Sequence, residues 1–203
     1  ARYGPRIVIF IGRLVYYKGL DILLRALARV PDATLLIVGE GPKENSLRSL
    51  ARELRVIDRS IFLGRLSHQE KVACLHACDL LALPAMNRAE AFGQVQVEAL
   101  ACGRPVISTK IDSGVPFVSL DNVCGLTVEP GDAAQLAGAI TTLLDDDDLR
   151  ARLGQAGRRR VEELFSREVM LRDTIALYDA MLGNIEPAGA PQVVLSSNGG
   201  RRS

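Results

Sequence analysis

The pattern of apolar and polar residues switches repeatedly between short continuous apolar runs and apolar residues at helical spacing. Residues 6–11 form a largely β-branched apolar run, which is typical of a strand buried on both faces of a sheet. Leucines 20, 23, 24 and 27 then follow at the spacing of one helix face. Because this alternation recurs, six strands are predicted, at residues 6–11, 34–38, 61–63, 80–83, 106–108 and 125–128.

Helices are predicted between these strands and after the last one. Ser67 and Glu70 have the spacing of a capping box, which starts a helix that runs to about His76. Strands that alternate with helices favour an α/β fold: a Rossmann-like, doubly wound parallel sheet of about six strands with helices on both faces. Further helices are predicted near residues 20–27 and 47–54, from Phe92 or Gly93 to Gly103, and from Asp132 to Leu182 with breaks near Asp145 and Ser166.

Ligands of such sheets bind beyond the carboxyl ends of the strands, so the loops at that edge are the candidates for a site. The first loop joins Gly12 to Gly19 and carries Arg13 and Lys18 just before a helix. Arginine offers a fork of donors, lysine a movable charge and the helix its free amides, a combination that suits a diphosphate. The loop is neither a Walker loop nor a G-x-G-x-x-G loop, and two basic residues alone are more often surface charge.

Two glutamates lie on either side of the start of the fourth predicted helix, Glu90 in the loop and Glu98 one to two turns into the helix. Glu90 and Glu98 are eight residues apart, which is roughly 12 Å if the whole interval is helical. This separation is too long for an acid–base pair that shares one bond, but it suits the two ends of a long ligand. Gly93 lets backbone amides approach a phosphate. Considered singly, either glutamate is better explained as a surface acid.

Composition and charge argue against several classes of function. A net charge of +1 gives no global attraction to nucleic acid, so no nucleic-acid partner is expected. Residues 158–160 are three arginines, but neighbouring glutamates indicate a solvated helix face of mixed charge. The four cysteines and two histidines lack metal-site spacing, so we expect buried, reduced thiols in a cytosolic protein and no metal. The longest apolar run is far too short to span a bilayer.

Several motifs in register resemble the donor-binding domain of the family-4 retaining glycosyltransferases, which have the two-domain GT-B fold. In order they read Gly-Arg-Leu, Lys-Gly, Gly-Glu-Gly-Pro, Phe-Leu-Gly, Asp-Leu-Leu-Ala-Leu-Pro and E-x(7)-E, followed by Ala-Leu-Ala-Cys-Gly-Arg-Pro-Val-Ile. The resemblance covers about residues 6–182. One departure is Ala85, where the family often has serine.

The resemblance implies a role for each matching position. Arg13 and Lys18 would bind and stabilise the diphosphate leaving group without a metal or other cofactor, above Gly12. Glu98 would bind the ribose, and Glu90 would bind a hydroxyl of the transferred sugar; Arg13, Lys18 and Glu90 are thus the implied catalytic residues. The remaining implied donor contacts are Arg65 and Leu66 beside the base and the amides of Phe92 and Gly93 at phosphate or sugar oxygens.

The local sequence is most similar to bacterial mannosyl- and rhamnosyltransferases that build surface polysaccharides. GDP-mannose is therefore the first expected donor and a UDP-hexose the second, with a saccharide or lipid-linked acceptor. In the family an N-terminal acceptor domain precedes the donor domain, so the chain is expected to be a fragment, a dissected domain or half of a split enzyme. The full enzyme is expected in the cytoplasm, with peripheral association at the inner face of the membrane.

The sequence predicts one domain followed by a tail, and it leaves two alternative functions open. Residues 1–183 are predicted to form the donor-binding domain, and the Pro-, Gly- and Ser-rich residues 184–203 a disordered tail. One rival is half of a non-hydrolysing sugar-nucleotide epimerase, against which E-x(7)-E argues. The other is a non-catalytic nucleotide-binding module, which has no use for both cations and both glutamates.

Overall fold

The structure is a computed structural model that describes residues 4–183. Its contacts divide the chain into two compact units, the first ending at Glu162 and the second beginning at Glu163. The predicted residues 184–203 lie outside the described part. All six predicted strands are present, with one-residue changes at some ends: β1 Ile7–Ile11, β2 Thr34–Val38, β3 Ser60–Gly64, β4 Leu80–Leu83, β5 Val106–Thr109 and β6 Gly125–Val128.

The helices largely follow the predicted pattern. Tyr16–Lys18 and Ile57–Arg59 form additional single 3₁₀ turns. The capping box at Ser67 is confirmed, since its hydroxyl accepts from the Glu70 amide and the Glu70 carboxylate accepts from the Ser67 amide. The α-helices are α1 Leu20–Leu27, α2 Glu44–Glu53, α3 His68–Ala77, α4 Gln94–Ala101, α5 Val115–Val118, α6 Ala133–Asp145, α7 Asp147–Leu164 and α8 Arg167–Met181.

Two predicted boundaries were wrong for backbone reasons. Arg6 was placed in the first strand, but its φ of 72° lies in the left-handed region, so the strand begins at Ile7. The fourth helix was started at Phe92 or Gly93, but Gly93 has a φ of 71° and is the N-cap, so α4 begins at Gln94. The short helix α5 was not predicted.

The six strands form one parallel sheet in the order β3-β2-β1-β4-β5-β6. β1 is central and its residues Val8, Ile9 and Phe10 are fully buried, as the continuous apolar run predicted. The winding reverses between β1 and β4, which are neighbours in the sheet although two strands separate them in sequence. A crevice at the carboxyl ends of two such strands is the usual ligand site of a doubly wound sheet.

The second unit contains α8. None of the side chains of this helix is buried, although several are apolar. Ser166 caps the helix by accepting a hydrogen bond from the Val169 amide. The exposed apolar residues of α8 are Met170, Leu171, Ile175, Leu177, Tyr178 and Met181. Within the described residues, no helix has the length and apolarity that crossing a membrane requires.

Candidate functional site

The loop after β1 folds so that Lys18 covers the end of the strand. A 3₁₀ turn at Tyr16–Lys18 brings the lysine back over Gly12, and a side chain at Gly12 would lie 3.5 Å from the lysine Cε. Gly19 ends the turn with a φ of 67° directly against the Pro84 carbonyl, where there is no room for a Cβ atom. Glycine at position 19 therefore allows the loops after β1 and β4 to meet.

Lys18 and Glu90 form an ion pair across these two loops. Their side chains are only 13% and 10% exposed, so the pair is largely shielded from water. The Met86 amide donates to the Tyr17 carbonyl at 2.8 Å and holds the two loops together. The Glu90 atom in this pair is Oε2, so the lysine charge lies directly on the carboxylate.

Glu98 forms a second ion pair that the sequence interpretation missed. Its Oε1 atom lies 2.6 Å from Nζ of Lys71 in the first turns of α3, and both side chains are less than a third exposed. Lys71 is four residues after the capping residue Ser67, and α3 directly follows the Arg65–Leu66 stretch. The two glutamates are therefore each matched by a lysine, but on different elements.

The N-terminus of α4 lies between these two glutamates in sequence. Its N-cap is Gly93, and no side chain caps the helix. A helix N-terminus whose amides lack side-chain partners attracts anions. Phe92 is 37% exposed beside it. The structure thus places the predicted phosphate-binding amides at an uncapped helix terminus.

The remaining predicted residues lie at the surface. Arg13 and Arg65 are exposed, and Leu66 is half-buried. Within residues 4–183 neither arginine takes part in an ion pair. The structure therefore brings Gly12, Lys18 and Glu90 into direct contact but does not bring Arg13 or Arg65 into that contact.

The arginine run after the site is not a simple solvated face. Arg158 pairs with Glu162, as the mixed-charge interpretation expected. Arg160, however, donates to the carbonyls of Phe117 and Val118 at 2.6 and 3.2 Å, and its guanidinium lies 5.2 Å from the Phe117 ring. Arg160 thus fastens the C-terminal end of α5.

The cysteines do not supply a reactive nucleophile. All four are free thiols, and two of them, Cys78 and Cys124, are buried. Burial raises the pKa of each thiol, and it raises the pKa of Cys78 to about 12. Since the thiolate is the nucleophilic form, the raised pKa values disfavour reaction of these thiols at neutral pH. No cluster of three or more potential metal ligands occurs in the part of the chain that the structure describes.

The arrangement as a whole suits an anionic ligand that carries several hydroxyl groups. Lys18, Arg13 and the α4 amides offer positive charge and donors to phosphate oxygens. Glu90 and Glu98 offer acceptors to hydroxyl groups on either side.

Comparisons with known proteins identify the family of the chain. The family model described as glycosyl transferases group 1 matches residues 1–160. The chain is 34% identical over 179 residues to O-antigen chain mannosyltransferase C of Escherichia coli, covering 88% of this chain and 48% of that protein. It is 42% identical over 167 residues to a GDP-mannose-dependent phosphatidylinositol monomannoside mannosyltransferase of Corynebacterium glutamicum, covering 78% and 43%. The chain thus spans about half the length of the curated relatives it matches.

A solved structure extends the similarity to three dimensions. HepE from Anabaena, crystallised in complex with UDP-glucose, superimposes with a TM-score of 0.79 at 29% sequence identity. The match covers 87% of this chain and 49% of HepE. The similarity again spans about half of a longer protein.

Proposed function

The chain belongs to the group 1 glycosyl transferases, and we propose that it is the unit that binds the nucleotide-sugar donor. The wider proposal is a retaining hexosyltransferase that acts in bacterial polysaccharide or lipopolysaccharide synthesis. Because the chain spans half of its relatives, the acceptor site is proposed to lie in a separate N-terminal domain. The full enzyme is proposed to act in the cytoplasm, at the inner face of the membrane.

The observation that carries the proposal is the ion pair between Lys18 and Glu90 at the switch point of the sheet. A diphosphate bound above Gly12 would lie beside the lysine, and a sugar attached to it would lie beside the glutamate. The ion pair therefore joins Lys18, which would stabilise the charge on the diphosphate, to Glu90, which would bind the sugar. The uncapped terminus of α4 supplies donors to the same phosphates.

In the proposed reaction the bond from the anomeric carbon to the diphosphate oxygen breaks, and its electron pair stays on the diphosphate. Arg13, Lys18 and the α4 amides stabilise the negative charge that develops there. An acceptor hydroxyl then forms the new bond on the same face of the sugar, and its proton passes to the departing diphosphate. This front-face route needs no nucleophile from the protein.

GDP-mannose is the proposed donor, and a UDP-hexose is the second choice. The Corynebacterium relative is described as GDP-mannose-dependent, which supports the first choice. HepE was crystallised with UDP-glucose, which supports the second. The residues at the site bind features common to both donors, namely ribose, diphosphate and a hexose.

Calorimetric titration of the 203-residue chain with GDP, UDP, GDP-mannose and UDP-glucose tests the proposal. We expect micromolar or tighter binding of one nucleotide and its sugar, unchanged by EDTA. Arg13→Ala should weaken binding by about 1.5–3 kcal/mol, as for a lost hydrogen bond to a charged group. Arg29→Ala, an exposed arginine at the far end of α1, is the matched control and should have no effect. Binding that disappears on chelation would refute the metal-free account.

The chain alone is expected not to transfer sugar to any acceptor. Transfer needs both reactants held together in a cleft that excludes water, and a donor-binding unit supplies one wall of it. A radiolabelled-sugar transfer assay with saccharide and lipid-linked acceptors measures this. Robust turnover by the isolated chain would contradict the proposed division of the enzyme into two domains.

A further inference from the structure

Gln96, the third residue of α4, is a fully buried glutamine. Gln96 has no exposed surface, and its side chain is surrounded by polar partners from other elements. Its Nε2 atom donates to the Phe92 carbonyl at 3.0 Å and to the Val115 carbonyl at 3.4 Å. Its Oε1 atom accepts from the Ser119 hydroxyl at 2.6 Å. A buried amide is costly unless its bonds are made, and here both N–H groups and the oxygen have partners.

The chain of hydrogen bonds extends from Gln96 to the central sheet. The Ser119 hydroxyl lies 3.0 Å from the Ser108 hydroxyl on β5, and both serines are buried. Because a hydroxyl has one proton, and Ser119 gives its proton to Gln96, Ser119 accepts from Ser108. The bonds therefore run in one direction, from β5 through α5 and Gln96 to the Phe92 carbonyl.

Gln96 does not cap its own helix, although it has the position to do so. A glutamine three residues after the N-cap commonly bonds back to the N-cap amide. Here the oxygen that would accept from the Gly93 amide is occupied by Ser119. The side chain instead holds the carbonyl just before the cap, which leaves the amides of the helix terminus for a ligand.

The same segment is held on its other side by the start of α5. The Gly114 amide donates to the Ala91 carbonyl at 2.7 Å. A side chain at Gly93 would lie 2.8 Å from the Gln96 Nε2 atom, so the glutamine packs directly under the cap residue. Residues 91–93 are thus held between α5 and Gln96, because the carbonyls of Ala91 and Phe92 each accept a hydrogen bond.

We propose that Gln96 is a positioning residue for donor binding. Through Ser119 and the Phe92 carbonyl, it sets the orientation of the amides at the start of α4 and couples it to α5. The inference rests on the proposed function, since those amides are the ones proposed to bind the donor. Gln96 is buried and does not reach the donor, so it acts through the orientation of these amides.

Three variants of the 203-residue chain separate positioning from simple stability. Gln96→Met keeps the length of the side chain but removes its hydrogen bonds, and Ser119→Ala breaks the bonds one step further away. Ser60→Ala is the matched control, because Ser60 is 4% exposed and donates to Val56 at 2.8 Å at the opposite edge of the sheet. All three should lower the melting temperature.

The readouts are titration with GDP or UDP and the amide signals of Phe92, Gly93 and Gln94 in ligand-free protein. Gln96→Met and Ser119→Ala should weaken nucleotide binding about tenfold, as expected for a lost buried hydrogen bond, and should change the chemical shifts of these amides. Ser60→Ala should do neither. If Gln96→Met fails to fold, Ser119→Ala carries the test.

The possible failures are distinct. If the unchanged chain binds neither nucleotide, the proposed function is wrong and the inference falls with it. If the unchanged chain binds, but Gln96→Met and Ser119→Ala bind as well as Ser60→Ala, then Gln96 contributes only stability and the proposal is overturned.

Discussion

At the scale of single residues, the structure changes how Lys18 and Glu90 relate to each other. The sequence assigned the lysine to the diphosphate and the glutamate to the sugar, as separate contacts. The structure joins them in one shielded ion pair between residues 72 positions apart. No local pattern reports a contact at that separation, and the same holds for Lys71 with Glu98. Residue types at the site were thus predictable from motifs, whereas their partners depended on the fold.

This pair predicts an asymmetry between two substitutions. Lys18→Ala leaves a buried carboxylate without its partner, which should lower the free energy of unfolding by about 3 kcal/mol and abolish nucleotide binding. Glu90→Gln leaves the lysine available to phosphate, so nucleoside diphosphate binding should persist while binding of the nucleotide sugar weakens. Denaturant unfolding and calorimetry measure both effects.

Two further variants serve as comparisons for that prediction. Lys18→Met combined with Glu90→Gln should recover most of the lost stability but not the nucleotide binding, because the charge is no longer buried alone. Glu98→Ala should weaken the nucleoside diphosphate and its sugar alike, since the ribose is common to both. Equal losses of diphosphate binding for Glu90→Gln and Glu98→Ala would show that the two roles are assigned wrongly.

At the scale of elements, the buried parallel strands were the most predictable part of the molecule. A strand covered on both faces must be continuously apolar, so β1, β2 and β4 are visible in the sequence. The four-residue helix α5 was missed because it is too short to show a helical period and contains Pro116 near its start. Its importance comes from Gln96 and Ser119, whose contacts are tertiary.

Two glycines within helices are expected to respond oppositely to alanine. Gly138 in α6 is exposed and has no heavy atom within 4 Å of an added Cβ, so Gly138→Ala should stabilise the fold by about 0.5–1 kcal/mol. Gly154 in α7 packs directly on the Gly103 carbonyl, so Gly154→Ala should destabilise it by at least that amount. Thermal or denaturant unfolding distinguishes them, and a destabilised Gly138→Ala would contradict the prediction.

At the scale of the whole molecule, the chain spans about half the length of its curated relatives. The last helix of its described part, α8, has exposed apolar side chains. Five large apolar side chains of α8, among them Ile175 and Tyr178, are more than half exposed. Exposed apolar patches of this kind usually mark a surface that another molecule or domain covers. We expect that surface to find a partner in another copy of the chain.

Removal of the final helix should therefore change the association of the chain. The full chain should sediment with a concentration-dependent average mass, whereas a chain that ends after Phe165 should remain monomeric. The shorter chain retains the sheet and all the predicted site residues, so its nucleotide affinity is the internal control. Identical sedimentation of both chains across the concentration range would contradict self-association through α8.

The two lysine–glutamate pairs also have a consequence for how an anionic ligand would approach the site. Each pair cancels its own charge, and the whole chain has a net charge of only +1, so the long-range field around the site is weak. Without such a field, an anionic ligand is not steered from a distance, and its association rate stays well below the electrostatically accelerated range. If the proposed donor binds here, we expect its association rate to depend little on ionic strength and its selectivity to arise from the rate at which ligands leave.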